Sequence, residues 1–81
     1  MDKLAAMQVY VSVVETHGFA RAAEVLGLPR STVSRVIREL ESWLGIQLLQ
    51  RTTRKLSITT EGQRYYDECK RILTDIAAME S

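Results

Sequence analysis

Apolar residues recur at Leu4, Met7, Val11 and Val14, three, four and three positions apart, which is the stripe of one helix face. Val9, Tyr10 and Val13 widen that stripe, so this first helix is expected to be buried on more than one side. The β-branched residues between positions 9 and 14 also suit a strand, but spacing and length decide for a helix. His17-Gly18 ends it, with glycine expected just past the helix terminus. Phe19 to Leu26 reads as a short second helix with a small apolar face of Ala22, Ala23 and Leu26, stopped by Gly27. Leu28-Pro29 makes a turn, and Pro29 suits the first position of the next helix because it has no N–H to leave unpaired.

The third helix is predicted from about Arg30 to Leu44. Val33, Val36, Ile37, Leu40 and Leu44 share one face, with Trp43 at its edge. At about 100° per residue, the opposite face holds Ser31, Arg35, Arg38 and Ser42, flanked by Thr32 and Ser34. Gly45 ends this helix. The pattern then shortens. Leu48-Leu49-Gln50-Arg51 and Leu56-Ser57-Ile58-Thr59 are strand-length, and the second alternates apolar and polar. The two predict a hairpin with Thr52, Thr53, Arg54 and Lys55 at a basic tip. A long helix follows from about Thr60 to Glu80. Thr59 or Thr60 can cap it, and Thr60 with Gln63 matches the reciprocal capping pattern. Tyr65, Cys69, Ile72, Ile76 and Met79 form a heptad-spaced seam along it, with Tyr66 and Leu73 on an adjacent edge.

Composition narrows the class. Hydrophobic residues at 46% and charged residues at 26% fit a folded domain rather than a disordered chain, and 81 residues suffice for one such domain. A domain of this size buries roughly 60% of its unfolded surface, so a partner subunit is a natural source of further stability. A single cysteine excludes an internal disulfide. No apolar run approaches the ~18 residues of a membrane span, and Met1-Asp2-Lys3 does not open a signal peptide. The expected location is therefore the cytoplasm.

A net charge of +1 and a pI near 7.9 fall short of the usual footprint of a nucleic-acid binder, a domain pI above ~9. The charge is unevenly placed, however. Residues 1–29 set Lys3 and Arg21 against Asp2, Glu15 and Glu24, a net −1. Residues 30–55 set Arg30, Arg35, Arg38, Arg51, Arg54 and Lys55 against Glu39 and Glu41, a net +4. Residues 56–81 set Arg64, Lys70 and Arg71 against Glu61, Asp67, Glu68, Asp75 and Glu80, a net −2. The middle third is where a phosphate-facing surface belongs.

That third also holds the chemistry. Two short helices joined by a tight turn, the second amphipathic with a basic outer face, make a helix-turn-helix. A major groove, ~12 Å wide, admits one such helix, and its N-terminal residues Arg30, Ser31, Thr32, Ser34 and Arg35 reach base edges. Arginine can bond guanine O6 and N7 together, and serine or threonine can address bases or phosphates. Other chemistries find no support. Ser31 and Ser34 have no base nearby and His17, the only histidine, lies a whole helix away, so no hydrolase is expected. No metal cluster and no glycine-rich phosphate loop is present, so no cofactor is expected.

The runs Ala22-Ala23-Glu24-Val25-Leu26, Val33 to Glu41, Leu44-Gly45 and Leu48 to Gly62 together resemble the N-terminal domain of LysR-type transcriptional regulators, and the resemblance extends over essentially the whole chain. It implies a mainly α, bacterial winged helix-turn-helix: a three-helix core, a two-stranded β wing and a long C-terminal dimerisation helix. The division would be a DNA-binding domain over 1–59 and a linker or dimerisation helix over 60–81. The resemblance carries DNA-reading positions onto Arg30, Ser31, Ser34 and Arg35, a wing arginine onto Arg54, a strand-end arginine onto Arg51 and a backbone-touching arginine onto Arg21. Thr32, Arg38 and Lys55 complete the candidate DNA surface, although Arg51 can equally brace the fold by pairing with an acid.

The chain departs from the family's commoner pattern at Arg30 (Gln), Ser31 (Pro), Ala20 (Ser or Thr) and Leu49 (Phe), and the first two bear on which DNA sequence is read. The seam Tyr65, Cys69, Ile72, Ile76 and Met79, with Leu73, is the expected homodimer contact, part of it packing on the first helix of its own chain. Cys69 is expected there as a small buried hydrophobe, and Trp43 and Phe19 as core. The expected partner is promoter DNA carrying an interrupted inverted repeat. A small-molecule effector would act only through a C-terminal domain beyond these residues. Two alternatives stand beside this reading: a dimerising helical protein-interaction module, and a MarR-like winged-helix regulator. A single C-terminal seam disfavours the second, which normally has dimerisation helices at both ends.

Overall fold

Asp2 starts the first helix by accepting the Ala5 backbone N–H at 3.1 Å, which satisfies one of the donors every helix N-terminus leaves open. The computed structural model describes residues 2–52 and 55–80. The element order is α1 (Lys3–Thr16), α2 (Phe19–Leu26), α3 (Arg30–Leu44), β1 (Leu49–Arg51), β2 (Leu56–Ile58) and α4 (Thr60–Glu80).

α1 is the central helix and touches the other three. Its buried residues are Ala6, Val9, Tyr10, Val11 and Val13. Of the stripe that seeds the sequence pattern, Val11 is buried, Leu4 is exposed, and Met7 and Val14 are partly buried. A helix surrounded on three sides buries whichever positions its neighbours approach most closely, and small Ala6 admits such an approach. The αL residue that closes α1 is His17, with φ 61°, not Gly18, whose backbone is extended.

α2 ends as the pattern predicts. Gly27 is left-handed, and the Leu28 N–H bonds back to the Ala23 carbonyl at 3.0 Å, closing a Schellman turn. Pro29 stands one position earlier than expected, as the N-cap of α3 rather than its first residue. Its carbonyl accepts the N–H groups of Thr32 and Val33. α3 buries Val33, Ile37 and Leu40 completely. Trp43 is a correction: it is 53% exposed. The ammonium of Lys3 sits 4.2 Å from its ring centroid, so the indole is covered by a cation rather than by core. Phe19 does pack against the core.

The sheet is one antiparallel pair, with Leu49 opposite Ile58 and Arg51 opposite Leu56. Its root is tied to α3 by Glu41, whose Oε2 accepts the Leu48 N–H at 2.8 Å and the Leu49 N–H at 3.2 Å. Thr59, not Thr60, caps α4: its hydroxyl accepts the Gly62 N–H at 2.9 Å. The reciprocal pairing expected of Thr60 and Gln63 does not form, and the Gln63 amide donates to Asp67 instead.

α4 is held to α1 at two places. Near its start, the Tyr10 hydroxyl donates to the Gly62 carbonyl at 2.7 Å inside the core. Gly62 fits there because a Cβ would overlap the Leu48 carbonyl oxygen and lie 2.9 Å from both Ile58 Cγ1 and the Tyr10 oxygen. Further along, Glu15 of α1 accepts from the Tyr66 hydroxyl at 2.7 Å and pairs with Lys70 at 2.8 Å. Those two donors hold the Glu15 carboxyl below its usual range.

Candidate nucleic-acid interface

The polar strip of α3 faces outward. Arg30, Ser31, Arg35 and Arg38 are exposed, and Thr32 and Ser34 are partly buried along its flanks. Burial of Val33, Ile37 and Leu40 on the other side fixes that orientation. The start of α3 carries no acid and no capping side chain, so the positive end of its dipole adds to the arginines.

Arg30 also faces the wing. With Arg51, Thr52 and Lys55 it lines a cleft of about 250 Å³ bounded by Gly18 and Phe19 at the start of α2. Three cations from α3, β1 and the second wing strand's approach therefore converge on one concave surface. Arg51 lies over the Phe19 ring, its guanidinium carbon 4.4 Å from the centroid. Among the described residues no acid pairs with it, so a stacked ring, rather than the salt bridge considered from sequence, aims it into the cleft. The Lys55 N–H donates to the Thr52 hydroxyl at 3.0 Å, and the Thr52 N–H donates to the Lys55 carbonyl at 2.9 Å, which closes the hairpin below its tip. Arg54, the wing arginine expected from sequence, lies outside the described residues. Arg21 is exposed on α2 and lines no part of this cleft.

Two acids that sequence reasoning counted only as charge have specific partners. Glu41 anchors the wing root, as above. Glu39 meets Arg35 one turn earlier, with Arg35 Nη1 3.4 Å from both carboxylate oxygens. The i,i+4 spacing made the second partnership legible in principle.

The α4 seam divides. Cys69 is fully buried inside the chain, with burial pushing its thiol up from the ordinary range. It therefore has no surface to offer a partner, which removes it from the expected dimer contact. Tyr65 packs on Tyr10, ring centroids 5.6 Å apart, with burial pushing its phenol up to about 12, and Leu73 also leans on the core. Ile72, Ile76 and Met79 keep exposed or partly exposed surface outside the core. Among the described residues no helix is long and apolar enough to cross a membrane.

Three helices, a hairpin tied to the third through Glu41, and an outward basic strip define a winged helix-turn-helix domain. Its relatives make the family specific. The pattern described as the bacterial regulatory helix-turn-helix protein of the lysR family matches residues 4–63, and the chain belongs to that family rather than to the MarR-like alternative. It is 48% identical over its full length to an HTH-type transcriptional repressor of Pseudomonas aeruginosa (strain UCBPP-PA14), of which it covers 26%. It is 49% identical over 93% of its length to the HTH-type transcriptional regulator CrgA of Neisseria meningitidis, of which it covers 25%. The chain thus spans about a quarter of the length of these relatives. It superimposes on BenM_DBD, solved in complex with catB site 1 DNA, with TM-score 0.92 and 37% identity over 98% of this chain and 88% of that one. The CbnR_DBD–DNA complex superimposes with TM-score 0.88 and 28% identity, over 99% and 90%.

Proposed function

We propose that this domain reads a specific duplex sequence as one half of a homodimer, in the cytoplasm, within a longer transcriptional regulator. α3 enters a major groove with Ser31, Ser34, Arg30 and Arg35 toward base edges, and the wing lies beside it with Arg51, Arg54 and Lys55 toward phosphates. The observation that carries this reading is the outward strip of α3 standing next to the Arg30–Arg51–Lys55 cleft. Residues 1–59 form the reading head and residues 60–81 the dimerisation arm, roughly 32 Å long at 1.5 Å per residue. Ile72, Ile76 and Met79 are the part of that arm left for a second copy, and two-fold pairing makes the site an interrupted inverted repeat. The rest of the longer protein carries the response to a small-molecule effector.

Selection of a binding site from a random duplex pool, followed by mobility shifts across a salt series, tests this. About four phosphate contacts per protomer give a slope of log K against log salt near −7 for a dimer. Arg35→Ala should weaken the selected site by ~1–3 kcal/mol and relax its sequence, whereas Arg54→Ala should weaken all duplexes alike and flatten the slope by about 2. A flat salt response with no selected sequence would favour a protein-interaction module instead.

A further inference from the structure

On the outer face of α3, Arg35 sits opposite the core residues Val33, Ile37 and Leu40, on the side proposed to enter the groove. Among the described residues it is also the α3 arginine with an acidic partner: Arg30 and Arg38 have none, while Arg35 Nη1 lies 3.4 Å from both oxygens of Glu39. The pair is exposed on both sides, so it adds little to folding, and its placement calls for another role. A carboxylate on a surface that must approach a polyanion opposes binding. It is tolerable there if it improves discrimination.

Resting on the proposed DNA reading, we infer that Glu39 is a positioning residue that sets the sequence specificity of Arg35. A free arginine samples many rotamers and bonds whichever phosphate is nearest. Tethering Nη1 to the next helical turn narrows that sampling and leaves Nε and Nη2 of the fork without a partner among the described residues. Guanine O6 and N7 need two parallel donors in that plane. The carboxylate also offsets the arginine's charge, so phosphates gain less from Arg35 while a base edge with two aimed acceptors keeps its full match. Glu39 therefore lowers affinity for arbitrary duplex and raises the ratio of matched to mismatched binding.

The test uses the selected site, single-base-pair variants of it and a random duplex, with Glu39→Gln, Arg35→Ala and the double variant. Circular-dichroism melting should show all three folded. Glu39→Gln should tighten random-duplex binding about 2- to 5-fold and reduce discrimination at one base pair per half-site about 3- to 10-fold. In the Arg35→Ala background, Glu39→Gln should leave discrimination unchanged. Equal loss with and without Arg35 would overturn the inference, because Glu39 would then be reading a base itself, as a carboxylate can with cytosine N4. A selective wild-type domain whose Glu39→Gln variant keeps its full discrimination overturns this inference alone; an unselective wild-type domain overturns the DNA reading with it.

Discussion

Gly62→Ala sets two physical effects against each other. Helix propensity favours alanine over glycine by about 1 kcal/mol. The surroundings oppose it. An added Cβ would overlap the Leu48 carbonyl oxygen and lie 2.9 Å from Ile58 Cγ1 and the Tyr10 oxygen. None of these is the loose end of an exposed side chain. Leu48 is held by Glu41 at its N–H and by the Thr59 N–H at its carbonyl, and Tyr10 is fully buried. Relieving the overlap in such a packed site costs about 1–3 kcal/mol. It also loosens the Tyr10–Gly62 and Thr59–Leu48 hydrogen bonds, together about 1–3 kcal/mol. The net is a loss of about 1–5 kcal/mol. For a domain of this size each kcal/mol moves Tm by roughly 4–8 °C, so Tm should fall by at least roughly 4 °C. Thermal and urea unfolding followed by circular dichroism, at matched protein concentration because association makes Tm depend on it, measures this directly. An unchanged or higher Tm would mean that α4 does not cross Leu48 this closely, and the account of how the long helix is seated would fail.

Three further outcomes follow from named contacts. Glu41→Gln should destabilise by about 1–3 kcal/mol by weakening the acceptor for two backbone N–H groups, and hydrogen exchange should show faster opening at Leu48 and Leu49. His17→Gly should stabilise by about 1 kcal/mol, because a non-glycine residue at φ 61° carries left-handed strain that glycine lacks; chemical unfolding that shows a loss would refute the strain argument. The Glu15 carboxyl has its pKa lowered in the fold by Lys70 and Tyr66, so below its ordinary range the unfolded chain takes up the proton more readily. The stability contributed by Glu15 is present above the unfolded pKa and is lost as pH falls through the lower folded one. Glu15→Gln should therefore flatten the acid limb of a Tm-against-pH curve, and an unchanged limb would remove Glu15 as its source.

Helix boundaries were highly legible. Gly27, Pro29 and Gly45 punctuate α2 and α3, and the outward strip of α3 follows from the period of Val33, Ile37 and Leu40 alone. What escaped the pattern depends on neighbours distant in sequence. The 3-4-3 spacing of Leu4 to Val14 identifies a helix, but three surrounding helices decide that Ala6, Val9 and Val13 face inward. Trp43 looks like core by hydrophobicity and is instead covered by Lys3, forty positions away. Thr59 outcompetes Thr60 as a cap because its hydroxyl also reaches the Gln47 carbonyl at 2.6 Å across the wing root. Glu41 did leave a trace: it falls about 40° from Ile37 around the helix, and a carboxylate so near the buried face implies waiting donors. The basic cleft was legible as charge, while the stacking of Arg51 on Phe19 was not, because nothing in local spacing joins the start of α2 to the end of β1.

The two attachments of α4 make the domain mechanically a single bracket. The helix is bolted near its start by the Tyr10–Gly62 bond and again two turns on by Glu15 with Tyr66 and Lys70. It cannot pivot about one point without breaking the other. Any force that tilts the far end of α4 is therefore passed to α1, which packs against α3, so in the proposed dimer the spacing between reading heads would follow how the two arms cross.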